Sequence, residues 1–137
     1  MSFLFKNSGA SDRPQSASEQ RWHAVFSQAA LGITVVNLDG RLEEANATFC
    51  SMIGYSLAEL RIRTFLDLTH PDDVESSREL VRQLREGESD RCVLEKRYVR
   101  KNGDIIWCHT TVTLMRDDSG RVIQLLCTTA SPCAITL

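Results

Sequence analysis

The residues of this chain best suited to chemistry are five cysteines, Cys50, Cys92, Cys108, Cys127 and Cys133, and three histidines, His23, His70 and His109. An odd cysteine count without C-x-x-C spacing argues against a disulfide framework and against a sequence-local zinc site. Where cysteines fall inside apolar strand-like runs, a reduced thiol serves as a small hydrophobe. Cys108 and His109, with Cys92 and Cys127 on neighbouring strands, would be soft metal ligands if they converged. Alternation along a strand sends Cys108 and His109 to opposite faces, so no metal site is expected. The aspartates and glutamates fall mainly at helix starts and turns, where capping and solvation account for them. The sequence has no G-x-S-x-G elbow, P-loop or H-E-x-x-H helix, and a lone Ser, Cys or His without an oriented partner performs no nucleophilic chemistry. The chain therefore reads as a binding module and not as an enzyme.

At 137 residues the chain is long enough for one core and too short for two. Its 42% hydrophobic and 25% charged residues are ordinary for a soluble globular protein, which excludes wholesale disorder. Sixteen basic against 18 acidic residues give a formal net charge of -2, leaving no electrostatic basis for nucleic-acid binding. Apolar runs such as Val122 to Ala130 fall well short of the roughly 20 residues of a membrane span. With no charged-then-apolar leader, a cytoplasmic, membrane-free setting is expected.

The elements that would position these residues follow from periodicity and punctuation. Residues 1–17, rich in Ser, Asn, Gly and Pro, read as a flexible lead-in. Residues 18–31 read as an amphipathic helix, because Trp22, Val25, Phe26 and Ala29 recur at i, i+3, i+4, i+7 before Gly32. The run 32–38, the turn pair Asp39-Gly40 and the run 41–45 predict a hairpin. Asn46 caps a helix over 47–53 that Gly54 ends, and Ser56-Leu57-Ala58-Glu59 is a capping box for a second short helix. His70-Pro71-Asp72-Asp73 opens a longer helix that stops at Gly87, with Val74, Val81 and Leu84 on one face. Strands are expected at 91–100, 104–116 and 121–130, joined through Asn102-Gly103 and through Asp117 to Gly120, with a short tail at 131–137. The sum is an α+β domain: a five-stranded antiparallel sheet with short helices and one longer connector helix over one face, preceded by an amphipathic helix.

The ordered stretches GITVVNLDGRLEEANATFCSMIGYSLAEL, HPDDVESSRELVRQL, EKRYVRKNGDIIW and TLMRDDSGRVIQLL resemble a PAS domain with its C-terminal PAC half, over about residues 21–130. The similarity is to bacterial PAS domains found upstream of diguanylate cyclases and sensor histidine kinases. Such domains sense or relay and leave catalysis to a neighbour, so a diguanylate cyclase or histidine kinase output module is an expected partner. The Asp-Ile-Thr signature that usually follows the last strand of such domains is replaced here by TTASPCAITL.

The resemblance implies a cavity between sheet and short helices. With strand parity, it places Ile33, Val35, Cys108, Thr110, Val112, Ile123, Leu125 and Cys127 on the sheet wall, and Phe49, Ile53, Leu60 and Phe65 on the helical wall. The flavin-binding branch of the family carries a reactive cysteine after the capping box, where this chain reads RIRTFLDL, so no flavin is expected. Haem would need an axial histidine in an apolar pocket; His70 reads as a helix-start residue, and His23 and His109 as surface or interface residues. No resident cofactor is therefore expected, and a small-molecule ligand of unassigned identity is. A dimerisation or protein-interaction module with a solid core is the alternative. Trp107 and Met115 share the other sheet face and are too apolar to leave open, as is the stripe Trp22, Val25, Phe26, Ala29. Packing of one on the other, within the chain or across a twofold, resolves both, and a homodimer is expected.

Overall fold

A computed structural model of the chain describes residues 17–131; the greater part of the expected lead-in and tail, with Cys133, lies outside the described residues. The chain opens with α1 (Ala17–Gln28), which leads into β1 (Gly32–Val36) and β2 (Leu42–Ala45). Four helices follow, α2 (Ala47–Ile53), α3 (Leu57–Leu60), α4 (Phe65–Leu68) and α5 (Pro71–Arg85). Then come β3 (Arg91–Val99), β4 (Ile105–Arg116) and β5 (Val122–Ala130). All pairings are antiparallel, in the order β2-β1-β5-β4-β3. The first and last thirds of the chain thus join through β1 and β5, and β3 is an edge.

The three hairpins share one connection, which in the first two differs from the expected two-residue turn. In each, a flanking N–H reaches the carbonyl four residues on, and a glycine N–H reaches back three: Asn37 to Arg41 with Gly40, Arg100 to Asp104 with Gly103, and Asp117 to Arg121 with Gly120. This is a three-residue loop ending in a left-handed glycine, which adds a bulge and keeps the strand twist. Gly103, at φ 93°, shows why the Asn-Gly pair reads as a turn signal while the register runs one residue longer. Side chains reinforce all three loops: Asn37 Oδ1 accepts from the N–H groups of Asp39 and Arg41, Asn102 Oδ1 from that of Asp104, and Asp117 Oδ1 from those of Ser119 and Arg121.

The helix caps follow the sequence. Asn46 accepts from the N–H of Phe49, Gly54 ends α2 at φ 86°, and Ser56 with Glu59 forms the reciprocal capping box. A second capping box, Thr64 with Asp67, opens α4, an element that periodicity does not predict. It has the same cap-to-acid spacing as Ser56 and Glu59 but only one turn of helix after it, too short for a visible period. The first helix ends at Gln28, three residues before its expected limit of 31, because the chain there hands its carbonyls to side chains. Asn46 Nδ2 donates to the carbonyls of Phe26 (2.8 Å) and Leu31 (3.0 Å), and Thr48 Oγ1 donates to that of Ala29 (2.6 Å). Asn46 Oδ1 also accepts from the N–H of Ile33. One buried amide thus joins the exit of α1, the start of β1 and the cap of α2.

The core lies between the helix-facing side of the sheet and α2 to α5. It contains Val36, Leu42, Phe49, Ile53, Leu60, Leu68, Leu84, Tyr98, Cys108, Val112 and Leu125. Phe49 meets Tyr98 edge to face at 5.9 Å between ring centres. The backbone of Gly32 runs so close to α2 that a Cβ there would lie 3.0 Å from Cδ1 and 3.2 Å from the Cα of Phe49.

Candidate functional site

Between the inner sheet face and the helices lies a cavity of ≈ 20 Å³, about the room of one water. From the sheet it is lined by Thr34, Val36, Leu42, Cys92, Leu94, Lys96, Tyr98, Thr110, Val112, Leu125 and Cys127. The helical wall is Phe49 of α2, Phe65 and Leu68 of α4, and Ser77, Leu80 and Val81 of α5. Of the residues expected to line it, Phe49, Phe65, Thr110, Val112, Leu125 and Cys127 do so. Ile53, Leu60 and Cys108 are buried in the core around the cavity without forming its wall, and Ile123 lies further along β5, half-buried.

Ile33 and Val35 require a correction, since they point away from the cavity. In the register, Thr34 pairs with Cys127 and Val36 with Leu125, so Thr34 and Val36 share the inner face, and Ile33 and Val35 stand on the other. The run Ile33 to Val36 has no polar alternation, so parity cannot be read from it; the pairing with β5 decides.

Eleven of the seventeen lining residues are absent from the sequence-based expectation, among them Lys96 and Ser77. Along β3 the inner set is Cys92, Leu94, Lys96 and Tyr98, so a lysine occupies a core position. Lys96 is only 4% exposed. Its Nζ donates to Thr69 Oγ1 at 3.2 Å and lies 5.1 Å from the Phe65 ring centre and 4.7 Å from that of Tyr98. Among the described residues no carboxylate stands within ion-pair distance of it. Burial pulls its ammonium down from the usual 10.5 to about 8, partly opposed by the neighbouring thiols Cys127 and Cys108 and by Asp73. On α5, Ser77 falls between Val74 and Val81 on the apolar face; it is 1% exposed, and its Oγ has no hydrogen-bond partner. The signal for both is a polar residue sitting in phase with an apolar stripe.

The rest of the site is electrostatically quiet. Burial pushes the Tyr98 phenol well above its usual value, partly opposed by the neighbouring Thr110 and Thr129 hydroxyls. Burial likewise lifts the Cys127 thiol to about 11 and raises Cys92, so both sulfurs stay protonated and weakly nucleophilic. Cys108 is buried on the inner face while His109 is exposed on the outer one.

The cavity is linked to the outer face at the edge strand. Asp73, in the first turn of α5, accepts from Arg97 at three points: the backbone N–H (2.8 Å), Nε (3.0 Å) and Nη2 (2.9 Å). The guanidinium holds the Asp73 carboxyl down to about 2 and lies 5.0 Å from the Trp107 ring centre. Adjacent residues Lys96 and Arg97 thus face the cavity and the outer surface respectively. Trp107 is 55% exposed, and Val93 and Ile105 on the same face are also open. In α1, Val25 is exposed and Trp22 half-buried, as is Ala29 just beyond the helix. Phe26, whose ring lies 5.9 Å from that of Trp22, is buried within the chain, and Met115 is half-buried. The open members of the expected dimer surface are therefore Val25 and Trp107.

With this geometry in place, comparison with known proteins gives the class. The chain belongs to the PAS fold family, whose model matches residues 42–129. It is 35% identical over 111 residues to the probable diguanylate cyclase DgcE of Escherichia coli K12, a match covering 81% of this chain and 10% of that protein. It is equally 35% identical over 111 residues to the sensor histidine kinase TmoS of Ectopseudomonas mendocina, covering 79% of this chain and 11% of that one. The chain thus spans about a tenth of the length of these curated relatives. In fold it is similar to the crystallised PAS domain of a Colwellia psychrerythraea protein, with a TM-score of 0.77 at 22% identity over 85% of this chain and 97% of that one. The matched part is a sensory signal-transduction module and not the catalytic part of such proteins. No helix among the described residues is long and apolar enough to cross a membrane.

Proposed function

We propose that this domain is a cytoplasmic sensor that takes a small molecule into the cavity between sheet and helices and relays its presence to an adjoining output module. The observation that carries this reading is a buried lysine and an unpartnered serine lining an otherwise apolar cavity, a costly arrangement for a core with only a structural duty. The relatives suggest a diguanylate cyclase or histidine kinase as the output. A second reading, an interaction module with a filled core, draws on the small volume of ≈ 20 Å³.

The relay has two physical routes. Outward displacement of α5 by a ligand pulls on Asp73 and so on Arg97 and Trp107 at the edge strand. Displacement of Phe49 tilts α2, whose cap Asn46 holds the exit of α1. Both routes end on the surfaces proposed to meet in a homodimer, Trp107 and the α1 stripe, so a ligand that prefers one cavity shape biases one dimer geometry. The test is light scattering of the full chain beside a Val25→Glu, Trp107→Glu double variant. The proposal expects a dimer that the substitutions weaken at least tenfold. A wild type that stays monomeric at high concentration, or a variant that associates equally well, removes the dimer relay.

A further inference from the structure

The geometry points to a small carboxylate with a compact apolar body as the ligand of this cavity, bound through Lys96 and Ser77. The inference rests on the sensor reading above and gives that site its substrate class. The Lys96 ammonium has three N–H donors, and the structure satisfies one of them, with Thr69 Oγ1 at 3.2 Å. Thr69 Oγ1 accepts this one bond and donates its own hydrogen to the Phe65 carbonyl at 2.9 Å. Asp73 attracts the ammonium only from beyond ion-pair distance, its oxygens being turned to Arg97. Two ring faces stabilise the cation but accept no hydrogen bond along their edges.

Ser77 Oγ, opposite on α5 and equally sealed from solvent, has no partner at all. A cation and a hydroxyl left short of acceptors in one cavity match a group with two acceptor oxygens and one negative charge. A dianion would exceed the single cation available. A neutral alcohol would leave the ammonium uncompensated. At about 8 the lysine is still mostly protonated at neutral pH, as the pairing needs. Beyond these groups the walls are Phe49, Leu68, Leu80, Val81, Val112 and Leu125, which suit a short aliphatic chain or a single ring. Since the cavity of ≈ 20 Å³ admits little more than a water, occupancy requires α5 to move outward, which is the displacement the relay uses.

The test is calorimetric titration and thermal shift of the full chain with propionate and benzoate, beside the uncharged isosteres benzamide and benzyl alcohol, and xenon as a probe of bare apolar space. Wild type, Lys96→Met and Ser77→Ala are compared. Lys96→Met keeps the volume of the side chain and removes a buried charge, so it is expected to fold. The expected result is saturable carboxylate binding that weakens at least tenfold in Lys96→Met and severalfold in Ser77→Ala, with uncharged isosteres bound at least tenfold more weakly than their carboxylate in the wild type and gaining in Lys96→Met. Equal binding of carboxylate and isostere, or carboxylate affinity unchanged in Lys96→Met, would overturn the carboxylate assignment and leave the sensor cavity standing. If carboxylates, isosteres and xenon all fail to bind, the assignment and the sensor reading fall together.

Discussion

Replacing Lys96 by methionine should stabilise the free domain, an unusual direction for a buried polar residue in a fully formed core. Burial holds the Lys96 ammonium at about 8 against an ordinary 10.5, which corresponds to a cost of about 3 kcal/mol for keeping it charged. Against this, the substitution removes one hydrogen bond to Thr69 and the attraction of the ammonium to two aromatic rings. Methionine regains part of the ring attraction through its sulfur, so the offset is about 1–2 kcal/mol. A net gain of about 1–2 kcal/mol remains at pH 7, or roughly 4–8 °C in melting temperature for a domain of this size. The pH dependence follows from the direction of the shift. The unfolded lysine holds its proton to higher pH than the folded one, so wild-type stability rises as pH goes from about 8 toward 10.5. The advantage of Lys96→Met is therefore full below about 8, is cancelled at about pH 9 and reverses by 10.5, because the wild type regains about 3 kcal/mol over that range. Paired urea melts at pH 7 and at pH 10 decide the matter. A variant less stable than wild type at pH 7, or a gap that does not change with pH, would refute the claim that Lys96 is an uncompensated buried cation.

Other perturbations follow from the same geometry. Gly32→Ala should cost about 1–3 kcal/mol, because its Cβ meets the Phe49 side chain and backbone near 3 Å; an unchanged melting temperature would show that α2 gives way freely. Asn46→Ala should cost about 3 kcal/mol, since it removes the α2 cap and strips the Phe26 and Leu31 carbonyls of their donor. Proteolysis near residues 28–31 should rise with it, and equal protection would break the link between Asn46 and α1. Asp73→Asn should lose about 1–2 kcal/mol above pH 4. The wild type loses this contribution as pH falls from 3.8 toward 2, the range over which Asp73 stays charged when folded and protonates when unfolded. Acid melts of the two proteins should therefore converge near pH 2, and parallel curves would count against the Arg97 latch.

What the sequence made legible, and what it hid, has a consistent physical basis. β4 alternates around Cys108, Thr110 and Val112, and strand parity together with the family resemblance also put Leu125 and Cys127 of β5 on the inner face, where the pairing with β4 places them. In β1 both faces of Ile33 to Val36 are β-branched or apolar, and only the pairing with β5 fixes which side is inward. Helix starts were legible through their caps, but α4, a single turn, left no period. Lys96 and Ser77 were hidden for the opposite reason. Residue type argued for the surface, while their phase within β3 and α5 argued for the core, and phase prevailed. The pairing of Asp73 with Arg97 joins residues 24 apart in sequence, which no local pattern encodes.

The most direct test of the account is methyl NMR of the full chain during a benzoate titration, read at Leu68, Leu80, Val81 and Val112 together with the indole N–H of Trp107. The account predicts saturable shifts at the cavity methyls, with the Trp107 indole following the same isotherm although it lies on the opposite sheet face. Shifts confined to surface methyls, or a cavity that responds while Trp107 does not, would contradict it.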